Sequence, residues 1–185
     1  LLLKCNRIFN MTPQKNVVWM DEVSMADVAF VGGKNASLGE MIRELVPKGI
    51  RVPTGFIVTT DAYRAFLAAN NLDVFIKEAL AGLDTHDTKD LAARGKNIRT
   101  RIVGSPFPRA IELEITAAYR EMERRYGRNV DTAVRSSATA EDLPGASFAG
   151  EHETYLNIRG PEKVIEATKA AMASLFTNRA ISYRV

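Results

Sequence analysis

Two cations, Lys34 and Arg135, sit in stretches whose residue types point to one chemistry, the holding of phosphate. Lys34 lies in "GGKNASLGEM", behind two glycines and just ahead of a repeat that reads as a helix. The first N–H groups of a helix and its dipole favour an anion. A lysine there adds a mobile cation that reaches a phosphate oxygen. This is not a Walker A loop, which needs a glycine where Val28 stands. A plain turn with a solvated lysine would read the same way over these residues.

Arg135 opens a longer stretch, "AVRSSATAEDLPGASFAGEHETYL". An arginine at a strand end can fork onto phosphate or carboxylate oxygens. Ser136, Ser137 and Thr139 offer hydroxyls. Gly145, Ala146, Ala149 and Gly150 leave backbone amides uncovered for close approach to a polyphosphate. Glu141 and Asp142 would sit near Mg²⁺ or cap a turn, with the turn favoured. Phe148 would anchor the loop or latch a lid. Thr154, four residues after Gly150, would present a hydroxyl to the same phosphates. A long surface loop is the plainer alternative, yet structureless loops of this length are uncommon unless they work. His152 and His86 read as ordinary polar side chains, and Trp19 and Tyr63 as core.

The elements that must position these groups follow from periodicity. "VVWM" from Val17 and "FIVTT" from Phe56 read as short strands, with Thr60 as the cap of the helix that follows. Leu38, Met41, Ile42 and Leu45 repeat as the apolar side of a helix closed by Pro47 and Gly49. From about Leu72 to Tyr126 the pattern is helical, interrupted at "GSPFP". Its strongest stripe is Ile111, Ile115, Ala118, Tyr119, Met122 and Tyr126. "DTAV" is a strand that delivers Arg135, "TYLNI" another, and Pro161 opens a helix carrying Val164, Ile165, Thr168, Ala171, Met172 and Leu175. The fold class expected is α+β (mixed α/β). A small, partly antiparallel mixed sheet would form from the strands near Val17, Phe56, Asp131 and Thr154, flanked by helices.

Composition narrows the partners. The chain has 185 residues, 46% hydrophobic and 25% charged, which excludes wholesale disorder. No apolar run reaches the roughly 18 residues of a membrane span. One cysteine, Cys5, and two histidines leave neither an internal disulfide nor a zinc cluster, and a cytoplasmic setting is expected. The net charge of +3 comes from scattered residues, so neither nucleic acid nor membrane is an expected partner. Residues 1–16 read as a leader or upstream extension, with Met11 a candidate start, and 17–185 as one unit.

"GGKNASLGEMI", "VPTGFIVTTDAYRAFL", the loop from Ala133 to Asn157 and the final "NRAISYR" together resemble the N-terminal ATP-binding region of the phosphoenolpyruvate synthase (pyruvate, water dikinase) family. The resemblance runs from about Val17 to the last residue. It implies the first lobe of an ATP-grasp fold and a two-stage phosphoryl transfer. In the first stage ATP and water give AMP, phosphate and a phosphohistidine on a mobile domain. In the second, pyruvate takes the phosphoryl group at a barrel domain. By motif, Lys34 and Arg135 would hold ATP phosphates, Gly150 would offer an amide, and Thr154 would line the same pocket, with Ser136 and Ser137 as further candidates. The Mg²⁺ ligands, the phosphohistidine and the pyruvate barrel would lie outside these residues, so these 185 residues alone would be inactive and bind ATP weakly. Glu151 stands where such proteins commonly carry glutamine, and an acid there would repel a triphosphate unless it points away or helps hold Mg²⁺. The rifampicin phosphotransferases share the loop and supply the alternative reading. A basic helical binding module is the remote one.

Overall fold

Short apolar runs become strands, longer 3.6-residue repeats become helices, and their alternation along the chain sets the architecture. The computed structural model describes residues 15–137, 142–143, 146–147 and 153–183. In chain order the elements are β1 (Val17–Trp19), α1 (Val28–Val31), α2 (Gly33–Leu45), β2 (Phe56–Val58), α3 (Thr60–Ala69) and α4 (Leu72–Leu80). They continue with α5 (Thr88–Gly104), α6 (Arg109–Tyr126), β3 (Thr132–Arg135), β4 (Asp142–Leu143), β5 (Ala146–Ser147), β6 (Thr154–Ile158), α7 (Pro161–Ala173) and α8 (Asn178–Ser182). Single 3-10 turns follow β1, precede α1, end α2 and lead into α8. Residues 1–14, and with them Met11 and Cys5, lie outside the described residues.

The core is helical. α6 buries Ile111, Ile115, Ala118, Tyr119 and Met122, the stripe its spacing predicts, while Tyr126 at its end is exposed. α7 packs across both α5 and α6, and Ile98, Ile102, Phe66, Leu72 and Phe176 complete the cluster. Each such side chain, once buried, contributes about 1.5–3 kcal/mol. Asp87 caps α5 by accepting the Lys89 and Asp90 amides at 3.1 Å each. Pro161 occupies the first turn of α7, where its missing N–H is no loss. Tyr119, fully buried, donates its hydroxyl to the Val130 carbonyl at 2.9 Å and accepts the Gly160 amide at 2.7 Å. One side chain of α6 thereby holds the entrance to β3 and the exit from β6.

The expected single sheet is not what forms. Every predicted strand is present, but among the described residues β1 pairs only with β2 and β3 only with β6, each pair antiparallel. The physical reason is that each ladder rests on a different helix, β1 against α6 and the β3–β6 pair against α7. The class remains α+β. In the stretch after Arg135, β4 and β5 pair antiparallel, Asp142 opposite Ser147 and Leu143 opposite Ala146.

Two local expectations are corrected. The buried residues of α2 are Gly33, Ala36 and Gly39, whereas Met41 is 44% exposed and Leu38, Ile42 and Leu45 are half-buried. Small residues face inward because the backbone of residues 20–23 lies directly on the helix: a methyl on Gly39 would overlap the Val23 and Met20 carbonyls. The cap of α3 is Thr59, one residue before the one expected. Its hydroxyl accepts the Ala62 amide and donates to the Lys15 carbonyl, and it is 1% exposed. Thr60 Oγ1 instead donates to the Ala29 carbonyl at 3.3 Å, tying α3 to α1.

Candidate phosphate-binding site

Gly32 separates α1 from α2 with φ 82° and ψ 157°, a backbone that side-chain-bearing residues rarely adopt. Space imposes the same choice. A Cβ at Gly32 would overlap the carbonyl and the hydroxyl of Ser137, so the turn carrying Lys34 lies against the segment just beyond Arg135. A hydrogen bond crosses the same contact, from the Asn35 amide to Ser137 Oγ at 3.3 Å. Asn35 also donates from its side chain to the Val31 carbonyl at 2.8 Å, closing the end of α1. The break, the lysine and the first turn of the helix are therefore fixed as one unit.

The other half of the site is the β3–β6 ladder. Arg135 stands opposite Thr154 and Val134 opposite Tyr155. Directly opposed residues share a face, and neighbours along a strand alternate. Val134 packs against the core, and Tyr155 opposite it is half-buried, where burial, then the nearby Glu153 carboxylate, pushes its hydroxyl above its ordinary range. Arg135 and Thr154 occupy the outward face and are exposed. Leu156, two residues further, is 63% exposed. Beyond it the register slips at Asn157, whose φ of 58° marks the extra residue of a bulge.

The predicted residues thus divide. Lys34 is half-buried at the start of α2, and its turn meets the Arg135–Ser137 segment; Thr154 lies across the ladder from Arg135. The Ser136 hydroxyl is buried and has no hydrogen-bond partner among the described residues. Gly150, with Thr139, Phe148, Glu151 and His152, lies outside the described residues. His86 is exposed, its backbone amide donating to Asp84 Oδ1 at 2.9 Å. Sequence reasoning missed the part played by Asn35 and by Gly32 as a contact point. The paired glycines signalled a tight turn, but no local pattern names a partner 102 residues away.

The helix start is also less open to an anion than its position implies, because the Asn35 amide is already taken by Ser137. A groove of about 460 Å³ lies elsewhere, where Arg99 of α5, Glu153, Tyr155 and Ser174 meet, and neither Lys34 nor Arg135 lines it. Among the described residues no group of three His, Cys, Asp or Glu side chains is placed to hold a metal. Among them too, no helix is long and apolar enough to cross a membrane.

The family described as "Pyruvate phosphate dikinase, AMP/ATP-binding domain" matches residues 28–185, and this chain belongs to it. The chain is 55% identical over 170 residues to the phosphoenolpyruvate synthase of Neisseria meningitidis serogroup B, a match covering 91% of this chain and 21% of that protein. It is 54% identical over 169 residues to the phosphoenolpyruvate synthase of Aquifex aeolicus, covering 91% and 20%. With that of Escherichia coli K12 it shares 48% over 169 residues, covering 91% and 21%. The chain spans about a fifth of the length of these curated relatives.

Proposed function

We propose that this chain is the ATP-binding lobe of a phosphoenolpyruvate synthase, the first lobe of an ATP-grasp fold working in the cytoplasm. The observation that carries the reading is the seating of Ser137 against Gly32 and Asn35, which brings the Lys34 turn to the strand end bearing Arg135. In the parent reaction ATP, pyruvate and water become AMP, phosphate and phosphoenolpyruvate through a phosphohistidine on a domain outside these residues.

The part of the work proposed for this chain is binding and charge stabilisation. Phosphoryl transfer asks a protein mainly to position the phosphates and to neutralise the charge that shifts among their oxygens. Lys34 meets that demand as a movable point charge and Arg135 as a planar fork. The Thr154 hydroxyl donates from across the ladder, and Ser136, whose hydroxyl has no partner among the described residues, is a further donor. Gly150 supplies a backbone amide in this reading. Magnesium arrives with the nucleotide as Mg-ATP, and its protein ligands lie outside the described residues.

Calorimetric titration with Mg-ATP tests this. Saturable binding that Lys34→Ala and Arg135→Ala each weaken about tenfold or more is expected, in line with the loss of a charge-assisted hydrogen bond. Binding indifferent to both substitutions would overturn the reading. A parallel titration with a single-stranded oligonucleotide should give no comparable affinity at 150 mM salt.

A further inference from the structure

α2 starts without a cap of its own. The residue before it is Gly32, which has no side chain to accept a first-turn amide. The acceptor comes from a distant part of the chain: Ser137 Oγ receives the Asn35 N–H at 3.3 Å, across 102 residues. The same serine packs its carbonyl and hydroxyl into the space a Cβ on Gly32 would fill. A hydrogen bond and a close backbone approach, independent of each other, thus clamp one residue. Lys34 is the neighbour of Asn35 on one side of the clamp, and Arg135 stands two residues before Ser137 on the other.

We propose that Ser137 is a positioning residue: it caps α2 from across the fold and fixes the spacing between Lys34 and Arg135, rather than touching nucleotide itself. This rests on the reading of Lys34 and Arg135 as phosphate ligands. The hydroxyl does two things at once. It satisfies an amide that would otherwise compete for an anion or for water, and it prevents the strand end from sliding along the helix start. A triphosphate bridging two cations is sensitive to such sliding, because both contacts must form in one geometry.

The test uses two readouts, amide hydrogen exchange at Asn35 without nucleotide and the dissociation constant for Mg-ATP. In the unmodified chain the Asn35 amide should exchange more slowly than a first-turn amide open to solvent, a measurement that needs no variant. Ser137→Ala should speed that exchange about fivefold, the scale of a lost cap, and raise the Mg-ATP dissociation constant several-fold. Ser137→Thr, which keeps the hydroxyl, should restore both. Unchanged exchange in Ser137→Ala overturns the cap. Faster exchange with unchanged affinity overturns the coupling to the cations. Weaker affinity with unchanged exchange makes Ser137 a direct nucleotide contact and overturns the positioning role. Should Lys34→Ala and Arg135→Ala leave affinity unaltered, the ATP reading fails, while the exchange data alone still decide whether the cap exists.

Discussion

Charge in this protein is concentrated by geometry rather than by number, and Glu121 illustrates it as well as the proposed site does. Its carboxylate receives Arg124 through two hydrogen bonds, at 2.7 and 2.6 Å, and Arg125 through one at 2.6 Å. Those bonds, from Arg124 first and Arg125 second, hold its pKa down to about 2. Arg125 in turn lies 4.0 Å over the ring of Trp19, so the carboxylate aims a guanidinium at β1. A group whose folded pKa is depressed stabilises the fold above its unfolded pKa, and loses that contribution as pH falls toward the folded value. The stability difference between the parent chain and Glu121→Gln should therefore be constant near neutrality and shrink between about pH 4.3, the usual glutamate value, and about 2. Urea melts at stepped pH check this. Trp19 is the sole tryptophan, so its emission should shift in Arg125→Ala and report the same contact directly. A Glu121 carboxyl resonance titrating in the ordinary range would contradict the network.

At the scale of elements, what was legible in the sequence was whatever depended on near neighbours. The α6 stripe from Ile111 to Met122 was readable because four large residues and Ala118 at helical spacing leave one choice of inward face. β6 was readable from Thr154 to Ile158, but not its bulge at Asn157, since a bulge is set by the partner strand. α2 was misread because its large apolar residues promised a core face that a backbone, not a side-chain layer, occupies. Carbonyls of Met20 and Val23 meet the helix at Gly39, where only hydrogen fits. Gly39→Ala should accordingly destabilise by about 1–3 kcal/mol, the range for overpacking, despite alanine's better helix propensity. A gain in melting temperature would show that α2 can simply back away. Tyr119→Phe belongs at this scale as well. It keeps the ring but strands the Val130 carbonyl and the Gly160 amide. Denaturant unfolding should register a loss of about 1–3 kcal/mol. Of the proposed site, Lys34 and Arg135 were legible as types in context. The contact between their two segments was not, because it rests on Ser137 meeting Gly32 far away in the chain.

For the molecule as a whole, the decisive feature is the outward face of the β3–β6 ladder, on which half of the proposed site lies. Arg135 and Thr154 are exposed there, and Leu156 is 63% exposed beside them, an apolar surface that water covers poorly. Phosphate held on such a face gains less from its charges than it would in an enclosed site, because solvent screens them until a second surface excludes it. The chain spans about a fifth of the length of the synthases it matches. On that ground these 185 residues should bind Mg-ATP at least tenfold more weakly than a full-length relative such as the Escherichia coli synthase, measured side by side in the same buffer. They should also release no AMP in response to pyruvate, because the proposal assigns the phosphohistidine and the pyruvate site to domains outside these residues. Mixed with ATP, pyruvate and Mg²⁺ and followed by phosphorus resonance, the sample should keep its triphosphate signals. Pyruvate-dependent growth of AMP and phosphoenolpyruvate signals would mean that an acceptor site exists within this lobe, and would move the chemistry onto residues now assigned only to holding the nucleotide.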